Sequence, residues 1–181
     1  MSTIETLFHK CTKRDRKAQE ALFKTFSKKM FIHCYRYLKN KEEAEDALTQ
    51  GFLRVFQNIE NIQYQGEKAL EGWIKKIMVN EALAFLRKNR TIFFSETAEV
   101  ENLVSTDNNF TNLCAEDIYK MITTLPTGLR TIFNLYAIEG YSHQEIASML
   151  EIVESTSRSQ LMKARRALQG QLIKNNQSHE A

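Results

Sequence analysis

From Thr156 to Arg166 the chain gathers Thr156, Arg158, Ser159, Met162, Lys163, Arg165 and Arg166, a mix of hydroxyls, a thioether and cations. These groups break no bonds by themselves. Their chemistry is recognition: they donate hydrogen bonds to phosphate oxygens and to base edges. Spacing sorts the run into two faces. Ser157, Leu161, Ala164 and Leu168 keep the interval of one helical face, while Arg158, Ser159, Met162, Lys163 and Arg166 share the opposite one. Catalytic constellations are missing from the sequence. His9, His33, His143 and His179 are scattered, and no H-E-x-x-H, P-loop or nucleophile motif occurs. His143 lies inside a capping box and reads as a surface residue.

A run of this kind has to be held by something. Ser142 is followed three residues later by Glu145 and then by Ile146 and Ala147, the signature of a capped helix start. The spacing predicts a helix from about Ser142 to Leu150 that buries Ile146, Ala147 and Leu150, then a tight turn, then the polar-basic helix. That order is the helix-turn-helix arrangement, whose second helix enters a DNA groove. A solvated helical hairpin would show the same spacing, and hydroxyls at a helix start also serve simply as caps.

Elsewhere helical periodicity dominates. Leu22, Phe26, Met30, Cys34 and Leu38 form one apolar stripe, with Phe23, Phe31 and Tyr35 beside it. Ala44, Ala47, Leu48, Phe52, Val55, Phe56 and Ile59 form a second; Leu70, Trp73, Ile74, Ile77, Met78, Phe85 and Leu86 form a third. Three or four such helices can share one core, and Trp73 is expected inside it. From Thr91 the pattern fades into Ser, Thr, Asn and acidic residues, with no Lys or Arg between Arg90 and Lys120. Such a stretch suits a linker better than the interior of a domain. Helical pattern returns at Ile118, breaks at Pro126, resumes through Tyr136 and ends near Gly140. "TIFF" at Thr91 is the best strand candidate and is too short for a sheet. The fold class expected is all-α: two small helical domains joined by a flexible acidic linker, the C-terminal one containing a helix-turn-helix, with fraying after Lys174.

Bulk properties narrow the classes further. The net charge of +3 is mild, but basic blocks around Lys13 and Arg87 and near Arg165 alternate with the acidic spacer. Cys11, Cys34 and Cys114 are odd in number and form no C-x-x-C pair, as expected of thiols in a reducing compartment. Neither a signal peptide nor a membrane span is expected, which predicts a cytoplasmic protein without membrane insertion.

"LPTGLRTIFNLYAIEGYSHQEIASML" resembles region 4 of the extracytoplasmic-function (group IV) sigma factors. "LFKTFSKKMFIHCYRYLKNKEEAEDA" resembles their regions 2.1 and 2.2, and "GWIKKIMVNEALAFLRKNR" resembles regions 2.3 and 2.4. The match covers nearly the whole chain in the family's order. It implies region 2 over residues 1–90, a linker over 91–114, region 4 over 115–175 and a tail over 176–181. The resemblance implies a transcription initiation factor that binds RNA polymerase core at its clamp helices and directs it to -35 and -10 promoter elements. It implies no catalysis, metal or cofactor, and it adds an anti-sigma factor to the partners expected.

Carried over by resemblance, Asp46, Thr49, Gln50 and Leu53 face the clamp, with Arg36 and Tyr37 close by. The loop from Asn61 to Lys68 holds a flipped base of the -10 element, with Tyr64 as a stacking group contributing about 1–3 kcal/mol. Asn80 lies beside the -10 strand, and Lys75, Arg87, Lys88 and Arg90 hold phosphates. In region 4, Arg158, Ser159, Met162 and Lys163 read the -35 bases, and Thr156, Arg165 and Arg166 hold its backbone. Departures from the family pattern are Thr49 and Gln50 in place of Gln-Glu, and Glu151 and Ser155 where glycine is usual. A left-handed backbone at Glu151 would cost roughly 1–2 kcal/mol. Two rivals share these residues: a stand-alone helix-turn-helix regulator, and a sigma-like protein that binds polymerase or an anti-sigma factor without initiating.

Overall fold

A computed structural model describes residues 3–88 and 115–179 of the chain, with side chains of the second segment described from Ile118 to Ile173. The expected linker, Arg90, Cys114 and the "TIFF" stretch lie outside the described residues. The described residues are all-α, as expected. They fall into two compact units divided in the last turn of a long helix, at Leu86. Among them no helix is long and apolar enough to cross a membrane.

The first unit has four helices: α1 (Thr3–Thr12), α2 (Arg16–Leu38), α3 (Lys41–Asn58) and α4 (Glu67–Lys88), with a 3-10 turn at Ile59–Asn61. Short polar side chains set their starts. Asp15 accepts from the backbone N–H groups of Lys17 and Ala18, and Asn40 accepts from Glu43. Lys39, left-handed at φ 56°, ends α2 by sending its N–H to Tyr35, so α3 starts immediately afterwards and folds back on α2. The three sequence stripes meet in this core. Leu22, Met30, Val55, Ile74 and Met78 have at most a trace of exposed surface, and Phe8 and Cys11 of α1 close one end. Burial of each large side chain contributes up to about 1.5–3 kcal/mol. Close approach of α3 to α4 depends on Gly51, where a Cβ would stand 2.4 Å from Met78 Sδ. Burial pushes the thiols of Cys11 and Cys34 up to about 11 and about 12, so both stay protonated.

The second unit contains α5 (Ala115–Thr124), α6 (Thr127–Phe133), α7 (His143–Leu150) and α8 (Glu154–His179). Arg130, almost wholly buried, donates to Leu125 O at 2.7 Å and fastens the turn at Pro126. After Phe133 the helix widens into a π turn, Asn134–Ile138, which the periodicity gives no sign of. Gly140 at φ 80° then reverses the chain, with Tyr141 N–H reaching back to Leu135 O. Leu125, Leu129 and Ala164 form a buried cluster covered by Phe133, Ala167 and Leu168. The last helix runs to His179, beyond the point where the sequence pattern predicts fraying.

Candidate nucleic-acid interface

The capping box is complete. Ser142 Oγ accepts from Glu145 N–H at 3.2 Å, and the Glu145 carboxylate accepts from Ser142 N–H at 2.8 Å. Both bonds satisfy donors that a helix start leaves open, which fixes where α7 begins. At its other end Glu151 adopts φ 54°, ψ 45°, the left-handed conformation. Its N–H and that of Ile152 both return to Ala147 O, closing the helix in a Schellman-like way. Ser155 shows no such strain. It lies inside the first turn of α8 with negative φ, so no glycine is required there.

One face of α8 is sealed and the other open. Ser157, Leu161 and Ala164 are buried, whereas Arg158, Ser159, Met162, Lys163, Arg165 and Arg166 are exposed and Thr156 is half-buried. Arg158 pairs with Glu154 one turn earlier, which holds the guanidinium near the start of the helix. Arg165 reaches over the Tyr136 ring at 5.7 Å. His143 departs from its expected role as a plain surface residue. Its ring stacks on Tyr136 with centroids 4.5 Å apart, and Nδ1 lies 2.9 Å from Ser157 Oγ. The stretch "YSHQE" concealed this because the partners, Tyr136 and Ser157, are distant in sequence.

In the first unit, Asp46, Thr49, Gln50 and Leu53 form an exposed row along α3, with Leu53 half uncovered. Arg36 and Tyr37 do not extend that row. Tyr37 has no exposed surface and Arg36 only 7%, because both turn inward at the end of α2. Their burial distinguishes them from the exposed Asp46, Thr49, Gln50 and Leu53.

Along α4, Asn80, Arg87 and Lys88 are exposed. Lys76 is exposed as well and lies four residues before Asn80, on the same stripe as Arg87; helical spacing alone could have added it to the candidates. Lys75 is half-buried and turns around the helix toward α2, where it joins Lys29 and Arg36 near His33. The loop before α4 lines a half-open cavity of about 480 Å³ between Tyr64, Gln65, Phe8 and Trp73. Tyr64 is half-buried with its ring tilted against Phe8 at 5.3 Å. Trp73, expected in the core, is only half-buried and forms part of the cavity wall.

A sealed hairpin carrying an open basic helix, in a chain that also has a separate four-helix unit, defines a two-unit helix-turn-helix protein. Family comparisons agree in both halves. Residues 22–92 match Sigma-70 region 2, and residues 115–168 match Sigma-70, region 4. The chain is 24% identical over 177 residues to the RNA polymerase sigma-H factor of Pseudomonas aeruginosa, covering 91% of each chain. It is 27% identical over 173 residues to the ECF RNA polymerase sigma factor SigW of Bacillus subtilis, covering 88% of this chain and 91% of the relative. Among solved structures, the sigma factor RpoE in complex with the anti-sigma factor NepR from Bartonella quintana aligns with a TM-score of 0.49 at 19% identity, over 84% of this chain and 95% of that one. The chain belongs to the sigma-70 family of transcription initiation factors, in its extracytoplasmic-function group.

Proposed function

We propose that α8 reads the -35 element while α4 and the loop before it engage the -10 element, and that the exposed row on α3 docks on the clamp of RNA polymerase core. The observation that carries this reading is the division of α8 into a buried seam and an open face of Arg158, Ser159, Met162, Lys163 and Arg166. Arg158 and Lys163 offer donors suited to guanine, and Met162 offers apolar contact to a thymine methyl. Thr156, Arg165 and Arg166 hold phosphates and set the register. Asn80 lies along the -10 strand, flanked by the cations of α4. Trp73 joins Tyr64 as a stacking surface for a flipped base. Asp46, Thr49, Gln50 and Leu53 face the clamp, and an acidic linker between the units suits a basic channel in the polymerase.

On this reading the protein acts in the cytoplasm as a binding factor with no reaction of its own, and an anti-sigma factor restrains it by covering these same surfaces. The test is run-off transcription from fragmented genomic DNA, with core polymerase of the source organism in the presence and absence of the protein. Start sites that require it and share two upstream elements support the assignment. Binding to core without new starts favours a non-initiating partner of polymerase. Failure to bind core would leave a stand-alone regulator.

A further inference from the structure

We propose that His143 is a positioning residue for promoter recognition: by bridging Tyr136 of the π turn to Ser157 of α8, it fixes the rotation of the helix that presents Arg158 and Lys163. This inference rests on the -35 assignment of α8 above.

Three elements meet at this one side chain. Capping of α7 by Ser142 and Glu145 fixes the backbone from which the His143 ring projects. The ring stacks nearly parallel on Tyr136, at an interplanar angle of 23°. Its Nδ1 meets the hydroxyl of Ser157, a side chain with no exposed surface. A buried hydroxyl needs a partner, and the direction of that partner restricts how the first turn of α8 can rotate. Arg158 is the next residue along, so a small rotation at Ser157 swings the guanidinium off a base edge. Arg165, farther along the same helix, lies over the Tyr136 ring that carries His143, so one aromatic ring orders both a proposed phosphate contact and the bridge.

The chemistry of the bridge is that of a neutral imidazole. Partial burial, followed by the cations Arg158 and Arg165 acting against Glu154, lowers the His143 pKa from its ordinary value. In the neutral tautomer with its proton on Nε2, Nδ1 accepts the Ser157 hydroxyl proton. Arginine on its proper base gives a preference of roughly 5- to 150-fold. Precise aim is what secures such a preference, whereas phosphate affinity tolerates small rotations.

The experiment uses the full chain with core polymerase on a promoter identified by run-off. It compares transcription from that promoter with transcription from single-base variants of its -35 element, and the melting temperature of every protein is measured alongside. His143→Phe keeps a ring on Tyr136 but removes the acceptor; Ser157→Ala removes the donor. Each is expected to lower the -35 preference about fivefold, the effect of one net hydrogen bond, at temperatures where the protein remains folded. The double variant should lose no more than either single variant, because both act through the same bond. His143→Gln, which restores an acceptor, should recover most of the preference. Unchanged preference in folded His143→Phe and Ser157→Ala, or fully additive losses, would overturn the positioning role. A wild-type protein with no -35 preference would overturn the -35 assignment itself, a failure distinguishable from the first.

Discussion

Replacing Glu151 with glycine is expected to stabilise the helix-turn-helix unit. Glu151 ends α7 at φ 54°, ψ 45°, where a side chain with a Cβ crowds the following carbonyl at a cost of about 1–2 kcal/mol. Glycine removes that crowding but gives up more backbone freedom on folding, roughly 0.5–1 kcal/mol. The bonds that close the turn are backbone bonds from residues 151 and 152 to Ala147 O, so the substitution leaves them intact. The net gain is about 0.5–1 kcal/mol, which raises the melting temperature of a domain this small by about 2–8 °C. The assay separates the two units. The single tryptophan, Trp73, belongs to the first unit, so its fluorescence follows that unit while far-UV circular dichroism follows both. Glu151→Gly should move the dichroism transition to higher temperature and leave the fluorescence transition in place. A second-unit transition that stays put or falls would refute the strain argument.

Three further outcomes are expected in the first unit. Gly51→Ala should destabilise it by about 1 kcal/mol in urea unfolding followed by Trp73 fluorescence. Overpacking against the fully buried Met78 side chain costs about 1–3 kcal/mol and outweighs a helix-propensity gain of roughly 1; shortening Met78 in the same protein should restore part of the loss. Arg54→Ala should cost more than Glu81→Gln, about 2–3 against 1 kcal/mol, because Arg54 is paired at 2.6 Å with a Glu81 carboxylate that is nearly buried and would be left charged and alone; equal urea midpoints would contradict this. Burial, then Arg36, Lys75 and Lys29, hold His33 down at about 4. The unfolded chain therefore takes up the proton first as pH falls, and stability present above the ordinary imidazole value is lost between about pH 6.5 and 4. Since part of the ring reaches solvent, the expected loss is about 1–2 kcal/mol. His33→Leu should flatten the dependence, and matching slopes for wild type and variant would count against it.

Apart from α1 and the π turn, the helices, their order and the capped start of α7 were legible in the sequence because each rests on local physics. Apolar spacing assigns a face, Ser142 and Glu145 close a helix start within one turn, and Pro126 and Gly140 interrupt the ladder where they stand. The open face of α8 followed from the same spacing, whereas the turn at Glu151 was singled out only by the resemblance, which has glycine there. Tertiary packing decided what periodicity could not. It turned Arg36 and Tyr37 inward, brought Trp73 out to a cavity wall beside Tyr64, carried Lys75 toward α2, and bound His143 to Tyr136 and Ser157. A helical repeat states which residues share a face, but the burial of that face and the partner it meets depend on residues far away in the chain.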